Sequence, residues 1–123
     1  MREVDRGYFY QHFSSDMEIK NIRKRDGSIQ SFNIDKVESA ILKALYETQE
    51  GEVADAKKVA DLVLEKTVDM CVRAASAMPD EPEAKKCVDG HPAVEEIQDL
   101  VEQALMELGY FDTAKAYILY RSA

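Results

Sequence analysis

The sequence predicts a mostly helical α+β fold, in which one short β-hairpin precedes four helices, and three observations predict it. Asp26-Gly27 is the strongest two-residue hairpin signal in the chain, with alternating segments on both sides. Behind it, apolar residues recur at helical spacing. All three prolines, Pro79, Pro82 and Pro92, stand with Gly90 in one stretch, MPDEPEAKKCVDGHP, that parts the helices into two pairs.

Residues 1–18 carry scattered aromatics, Tyr8, Phe9, Tyr10 and Phe13, without a clean period, and read as an N-terminal arm ahead of a domain over 19–123. From Met17, MEIKNIRKR alternates at Met17 and Ile19 and, after a slip, Ile22, which predicts a strand with a bulge. A type I′ turn at Asp26-Gly27 needs positive φ at both positions, and SIQSF is the return strand. Asn33 suits an N-cap, with Asp35 adding favourable charge to that helix start.

The first helix follows to about Thr48 on the stripe Val37, Ala40, Ile41, Ala44 and Leu45. The second runs from about Val53 to Ala77 with Ala56, Val59, Ala60, Val63, Thr67, Met70, Cys71 and Ala74 inward. Pro92 fits the first turn of the third, whose stripe is Val94, Ile97, Val101, Ala104, Leu105 and Leu108. The fourth spans roughly Phe111 to Arg121, with Tyr110, Phe111, Tyr117 and Ile118 expected to close the core and Lys115 and Arg121 to complement its C-terminal dipole.

At 123 residues the chain is one domain, long enough to bury about two thirds of its unfolded surface. No apolar run approaches the roughly 18 residues that span a bilayer, and MREVDRGYFYQHF lacks the apolar centre of a signal peptide. A cytoplasmic protein with no membrane contact is expected. Cys71 and Cys87 are too far apart for a CxxC site and too few for a disulfide framework, and read as a buried thiol and a loop thiol. His12 and His91 have no second ligand at metal-like spacing, so no metal site is expected.

Charge is distributed unevenly. The formal net charge is -8, yet residues 1–36 sum to +1 and residues 37–123 to -9, with Arg23, Lys24, Arg25 and Lys36 gathered around the Asp-Gly turn. The acidic body argues against DNA binding and leaves room for a small anion at one defined point. There is neither a GxxxxGK[ST] nor a GxGxxG. A nucleotide would therefore be held by side chains and a helix N-terminus: Lys24 and Arg25 at the hairpin tip, the amides behind Asn33, and Lys36 in the first turn. The same Lys-Arg pair also suits a solvated strand edge, and spacing alone leaves both readings open. No nucleophile has a base in a recognisable elbow or triad, so no enzymatic activity is expected of the domain itself.

The motif K-R-D-G-S-x-x-x-F-N-x-x-K, the long second helix, H-P-x-V-E-E-I-Q-D-L-V-E-x-x-L and A-K-A-Y-I-L-Y-R occur in that order from about Ile19 to Arg121. Together they resemble the ATP-cone domain, the regulatory module at the N-terminus of many ribonucleotide reductases and in a transcriptional repressor of their genes. The resemblance implies a β-hairpin or three-stranded sheet as a lid over a four-helix cluster. It implies binding of ATP as activator or dATP as inhibitor, with Mg2+ and without hydrolysis. By position, Lys24 and Arg25 reach the triphosphate, Lys36 adds to that clamp and Asn33 touches the adenine edge. Ile22 and Val37 form apolar walls, Gln30 accepts from the adenine amine, and Gln98 bonds the sugar.

The partners so implied are reductase subunits or the rest of a parent chain, with homo-oligomerisation as the readout. The zinc ribbon of the repressor is absent before Ile19, as is the catalytic barrel of the reductases, so an isolated module or a piece of a longer protein is expected. Two alternatives stand beside this reading: a helical interaction domain whose cone no longer binds nucleotide, with Lys24 and Arg25 paired to local acids, and a transcription regulator.

Overall fold

Four helices close a ring in the computed structural model, which describes residues 18–122 of the chain. They are α1 (Ile34–Thr48), α2 (Val53–Ser76), α3 (Val94–Glu107) and α4 (Phe111–Ser122). Helix α1 packs on α2 and α4, and α3 packs on α2 and α4, so each helix has two neighbours and the apolar stripes meet in the middle. Ile41 and Leu45 from α1, Val59 and Val63 from α2, and Val101 and Leu105 from α3 are fully buried there. The proposed arm lies almost wholly outside the described residues.

The three long stripes are close to expectation, with local exceptions. Ala40 is exposed, Met70 is half-buried beside a buried Val68, and Leu108 caps α3 at the surface. Helix α4 departs most. Phe111 and Ile118, expected inside, are exposed, and the buried positions are Thr113 and Ala114, with Tyr110 and Tyr117 half-buried against the core. Its apolar residues run consecutively from Ala116 to Tyr120 and therefore wrap around the helix rather than lining one side. Arg121 bonds Asp99 and Glu102 of α3 instead of serving its own helix end.

The short link between α1 and α2 closes one end of the bundle. The Glu50 carboxylate accepts from the Thr113 N–H at 2.7 Å, the Thr113 hydroxyl at 2.5 Å and the Asp112 N–H at 3.2 Å, and so caps the first turn of α4. Burial pushes this carboxyl up, but the three bonds from Thr113 and Asp112 together outweigh it and hold it below its ordinary 4.5. Beside it, Asp55 accepts from the Tyr110 hydroxyl at 2.5 Å and from the Glu52 N–H at 2.8 Å. The Tyr110 bond leads in lowering Asp55 below 3.8, and the same bond raises Tyr110 above 10.0.

Between α2 and α3 the chain makes a 3-10 turn (Pro82–Lys85) and then a second hairpin, β3 (Cys87–Val88) and β4 (His91–Pro92). Asp89 at φ 55° and Gly90 at φ 78° form its two-residue turn, both residues left-handed as a type I′ turn requires. The proline-rich stretch is thus partly ordered as strands. Pro92 lies in β4 rather than in the first turn of α3, whose N-cap is Ala93. The bond from Ala93 N–H to Lys86 O at 3.0 Å makes Pro92 a non-bonded position of the ladder, where a missing N–H is tolerated.

The cysteines are not free thiols. Cys71 of α2 and Cys87 of β3 form a disulfide across 16 residues, inside a small second core with Ile19, Val68 and Ala74. Partners on a helix and on a strand could not be matched by local spacing. Loop closure of that length contributes about 3 kcal/mol. Phe32 packs against both cores and joins them.

Candidate functional site

The basic cluster lies on the first hairpin, β1 (Asn21–Arg23) paired antiparallel with β2 (Ile29–Ser31). Its turn differs from the one expected. Only Gly27 has positive φ, at 90°, while the Lys24 N–H donates to Ser28 O at 2.8 Å and the Gly27 N–H to Lys24 O at 2.9 Å. This is a longer loop with Arg25 and Asp26 at its centre, closed by a left-handed glycine. Asp26 explains it: its carboxylate accepts from the Ser28 hydroxyl at 2.6 Å and the Ser28 N–H at 2.9 Å. The side-chain bond from Ser28 leads in holding its carboxyl below the ordinary 3.8, with the charge of Lys24 a smaller contribution.

Cross-strand register sorts the remaining side chains. Ile22 opposes Gln30 and so shares its face, while Arg23 opposes Ile29 on the other. Ile22 packs against the main core, as do Val37 and Ile34 of α1, so the two predicted apolar walls are both anchored in the bundle. Gln30 is exposed beside Ile22, and Gln98 is half-buried in the second turn of α3.

The hairpin runs directly into α1. Asn33 is its N-cap as expected, with extended backbone at φ -135° and its Oδ1 accepting from the Asp35 N–H at 2.9 Å. That bond uses one of the two lone pairs of the side-chain oxygen, and the Nδ2 amide is a donor. Lys36 is exposed in the same first turn. Neither Lys24 nor Lys36 forms an ion pair among the described residues, although acids outnumber bases 24 to 16 in the chain.

The hairpin also reaches α3. Arg25 Nε stands 2.9 Å from Glu95 Oε2 in the first turn of that helix, with 76% and 51% of the two side chains exposed. Arg23 forms a parallel bridge to Ala93 and donates from Nη2 to Lys85 O at 3.0 Å. Its Nη1, and Nδ1 of His91, are buried without a partner. Sequence reasoning counted Arg23 in the basic cluster without giving it a role, and gave none to Glu95. The first could have been found from its register, one position from Ile22 and hence on the opposite face; the second carried only the generic signal of an acid at a helix start.

The structure therefore groups Ile22, Lys24, Arg25, Gln30, Asn33, Lys36 and Val37 on one hairpin and the helix start it feeds, with the α3 N-terminus tied alongside. Two grooves elsewhere include none of these residues. One of about 310 Å³ lies among Lys66, Asp69, Arg73, Lys86, Glu96 and Asp99, and one of about 290 Å³ among Ala40, Lys43, Glu47, Leu119 and Tyr120. Both mix charges of opposite sign or are short of cations. Among the described residues no cluster of His, Cys, Asp or Glu could hold a metal ion, and no helix is long and apolar enough to cross a membrane.

The ATP cone domain model matches residues 20–123. The chain is 35% identical over 108 residues to a vitamin B12-dependent ribonucleoside-diphosphate reductase of Thermoplasma acidophilum, an alignment covering 84% of this chain and 12% of the reductase. It is 31% identical over 103 residues to the ribonucleoside-diphosphate reductase subunit alpha of Chlamydia trachomatis, covering 84% and 9%. A vitamin B12-dependent reductase of Mycobacterium tuberculosis is 31% identical over 100 residues, covering 81% and 12%. The chain thus spans about a tenth of the length of the curated relatives it matches.

Proposed function

Because the chain belongs to the ATP-cone family, whose members are nucleotide-sensing regulatory domains, we propose that it binds ATP and dATP at the first hairpin and distinguishes them allosterically. The output is control of the overall activity of a ribonucleotide reductase, either its own parent chain or a partner subunit, through a change in assembly. The observation that carries this reading is the pair of cations, Lys24 and Lys36, which form no ion pair among the described residues and flank the Asn33 cap in the sequence of an acidic protein. Repulsion from the body makes that point the favourable place for a polyanion.

The residues fit such a ligand. Lys24, Lys36 and Arg25 supply charge for a triphosphate, the α1 amides add the positive end of a helix dipole, and Ile22 and Val37 supply apolar contact for a base. The Asn33 amide and Gln30 offer a donor and an acceptor to its edge. Mg2+, where it accompanies the nucleotide, would be held by the phosphates rather than by protein carboxylates. In this reading Gln98 bonds the sugar; a hydroxyl that one ligand has and the other lacks is worth about 1–3 kcal/mol to a partner otherwise left unpaired. Sensing requires that the two ligands favour different packings of hairpin and helices.

The Arg25–Glu95 bridge resembles the local pairing expected of a cone that no longer binds nucleotide. An exposed pair of this kind contributes about 0–1 kcal/mol, too little to withhold Arg25 from a triphosphate. Calorimetric titration with ATP and then dATP, with magnesium present and light scattering recorded alongside, tests the proposal. Binding of both in the micromolar range or tighter, with different assembly for each, is expected. Absence of heat and of thermal stabilisation with either would overturn it.

A further inference from the structure

We infer that the Cys71–Cys87 disulfide is a redox-responsive site, whose reduction by a dithiol loosens the support of the first hairpin and weakens nucleotide binding. The second half of this inference rests on the reading of that hairpin as the nucleotide clamp. The structural chain is short. Cys87 opens β3, whose partner β4 leads through Ala93 into α3. Ala93 bridges Arg23, Lys85 O accepts from the Arg23 guanidinium, and Glu95 holds Arg25. The segment Lys85–Glu95 therefore touches the first hairpin at three points and the disulfide is its covalent anchor to α2.

Besides that anchor Pro92 is buried and Ala93 leads into α3, but the Cys87 side of the segment has few other ties. The second hairpin pairs only two residues with two, and its turn and Val88 are exposed. The sulfurs belong to residues only 3% and 7% exposed, so a reductant reaches them when this small hairpin opens, a local event far less costly than unfolding the helices. A thiolate of the dithiol then attacks Cys87 Sγ, the Cys71–Cys87 bond breaks, and Cys71 leaves as a thiolate that takes up a proton. The second thiol of the reductant displaces Cys87 in turn. The protein gains two electrons and two protons as two thiols, and the dithiol is oxidised to its own disulfide.

Linkage makes the inference quantitative. If oxidation tightens nucleotide binding by some factor, saturating nucleotide must raise by the same factor the ratio of reduced to oxidised dithiol needed for half-reduction. A factor of about five or more is expected.

The test measures, on the whole chain with its redox state verified by mass, ATP affinity of the oxidised and reduced forms, the dithiothreitol midpoint with and without ATP, and amide exchange at Arg23–Ser28 without nucleotide. Weaker binding and faster exchange on reduction, with a matching ATP-dependent shift of the midpoint, are expected. Equal affinity and equal exchange in the two forms would overturn the inference, as would cysteines that cannot be oxidised to the intramolecular pair. If neither form binds ATP, the nucleotide reading fails by itself; the exchange at Arg23–Ser28 then decides, faster on reduction supporting the coupling and unchanged overturning it. Cys71→Ser/Cys87→Ser should resemble the reduced protein, and reduction of the unmodified chain gives the same comparison if that variant does not fold.

Discussion

Both hairpins turn on Asp-Gly, and they are held in different ways. At Asp89-Gly90 both residues are left-handed, the strands are two residues each, and a disulfide fixes the neighbouring strand to α2. At Asp26-Gly27 only the glycine is left-handed, because Asp26 is engaged by Ser28, and the loop widens to place Lys24 and Arg25 at its tip. No covalent link secures it; Ile22 and Phe32 pack it on the bundle, and Arg23 and Arg25 tie it to the second hairpin and α3. The second hairpin is covalently anchored, and the first is the one that meets the ligand on the proposed reading. A segment that must respond to a ligand belongs at the less stable end of the fold.

Breaking the anchors separates them most sharply. Cys71→Ser/Cys87→Ser should lower unfolding stability by about 3 kcal/mol in denaturant titration. Lys24→Glu/Arg25→Glu, which breaks only the exposed pair with Glu95, should cost about 1 kcal/mol or less. The same pair of reversals should weaken ATP and dATP alike by about a hundredfold, close to 2.7 kcal/mol, in calorimetry. Retained affinity in that variant would remove Lys24 and Arg25 from the clamp.

The turn glycines give a smaller contrast. Gly27→Ala and Gly90→Ala each force a side chain into left-handed backbone, with open space around the added carbon, and should each cost about 1–2 kcal/mol locally. The loss at Gly27 should appear in nucleotide affinity and hairpin exchange, that at Gly90 in the ease of disulfide reduction. Glu95→Gln should change stability by less than about 1 kcal/mol and tighten ATP modestly, because it frees Arg25 and removes a carboxylate beside the phosphates.

The bundle end supplies the pH dependence. Glu50 and Asp55 are held below their ordinary 4.5 and 3.8, so the unfolded chain takes up protons first as pH falls. Their contribution is complete above about pH 4.5 and is lost as pH drops through the lowered folded values. Tyr110, raised above 10.0, acts in the opposite sense: its contribution is present below pH 10 and lost above it. Melting temperature against pH should show both limbs, and Glu50→Gln should flatten the acid one.

What was legible in the sequence follows the same division. The Asn33 cap, the three long helices and the first hairpin could be read because each rests on local signals, a capping oxygen, a 3.6-residue stripe or a turn dipeptide. The second hairpin was hidden because its Asp-Gly turn stands among prolines, and Pro92 reads as a helix start unless the ladder position that tolerates it is known. The disulfide and the Glu50 cap join residues 16 and 63 positions apart, which no local pattern encodes. Of the predicted site, the placement of Ile22, Asn33 and Val37 depends on the hairpin feeding α1. The tie from Arg25 to Glu95 depends on α3 returning to that place.

The most direct measurement is the pattern of backbone amide shifts in this chain as ATP is added. Binding at the first hairpin predicts that the largest changes cluster at Ile22–Val37 and Val94–Gln98, with smaller ones along α2. Changes centred instead on Lys66–Arg73 and Asp99–Gln103, in the groove between α2 and α3, or no changes at millimolar ATP, would contradict the assignment of the basic hairpin as the nucleotide site.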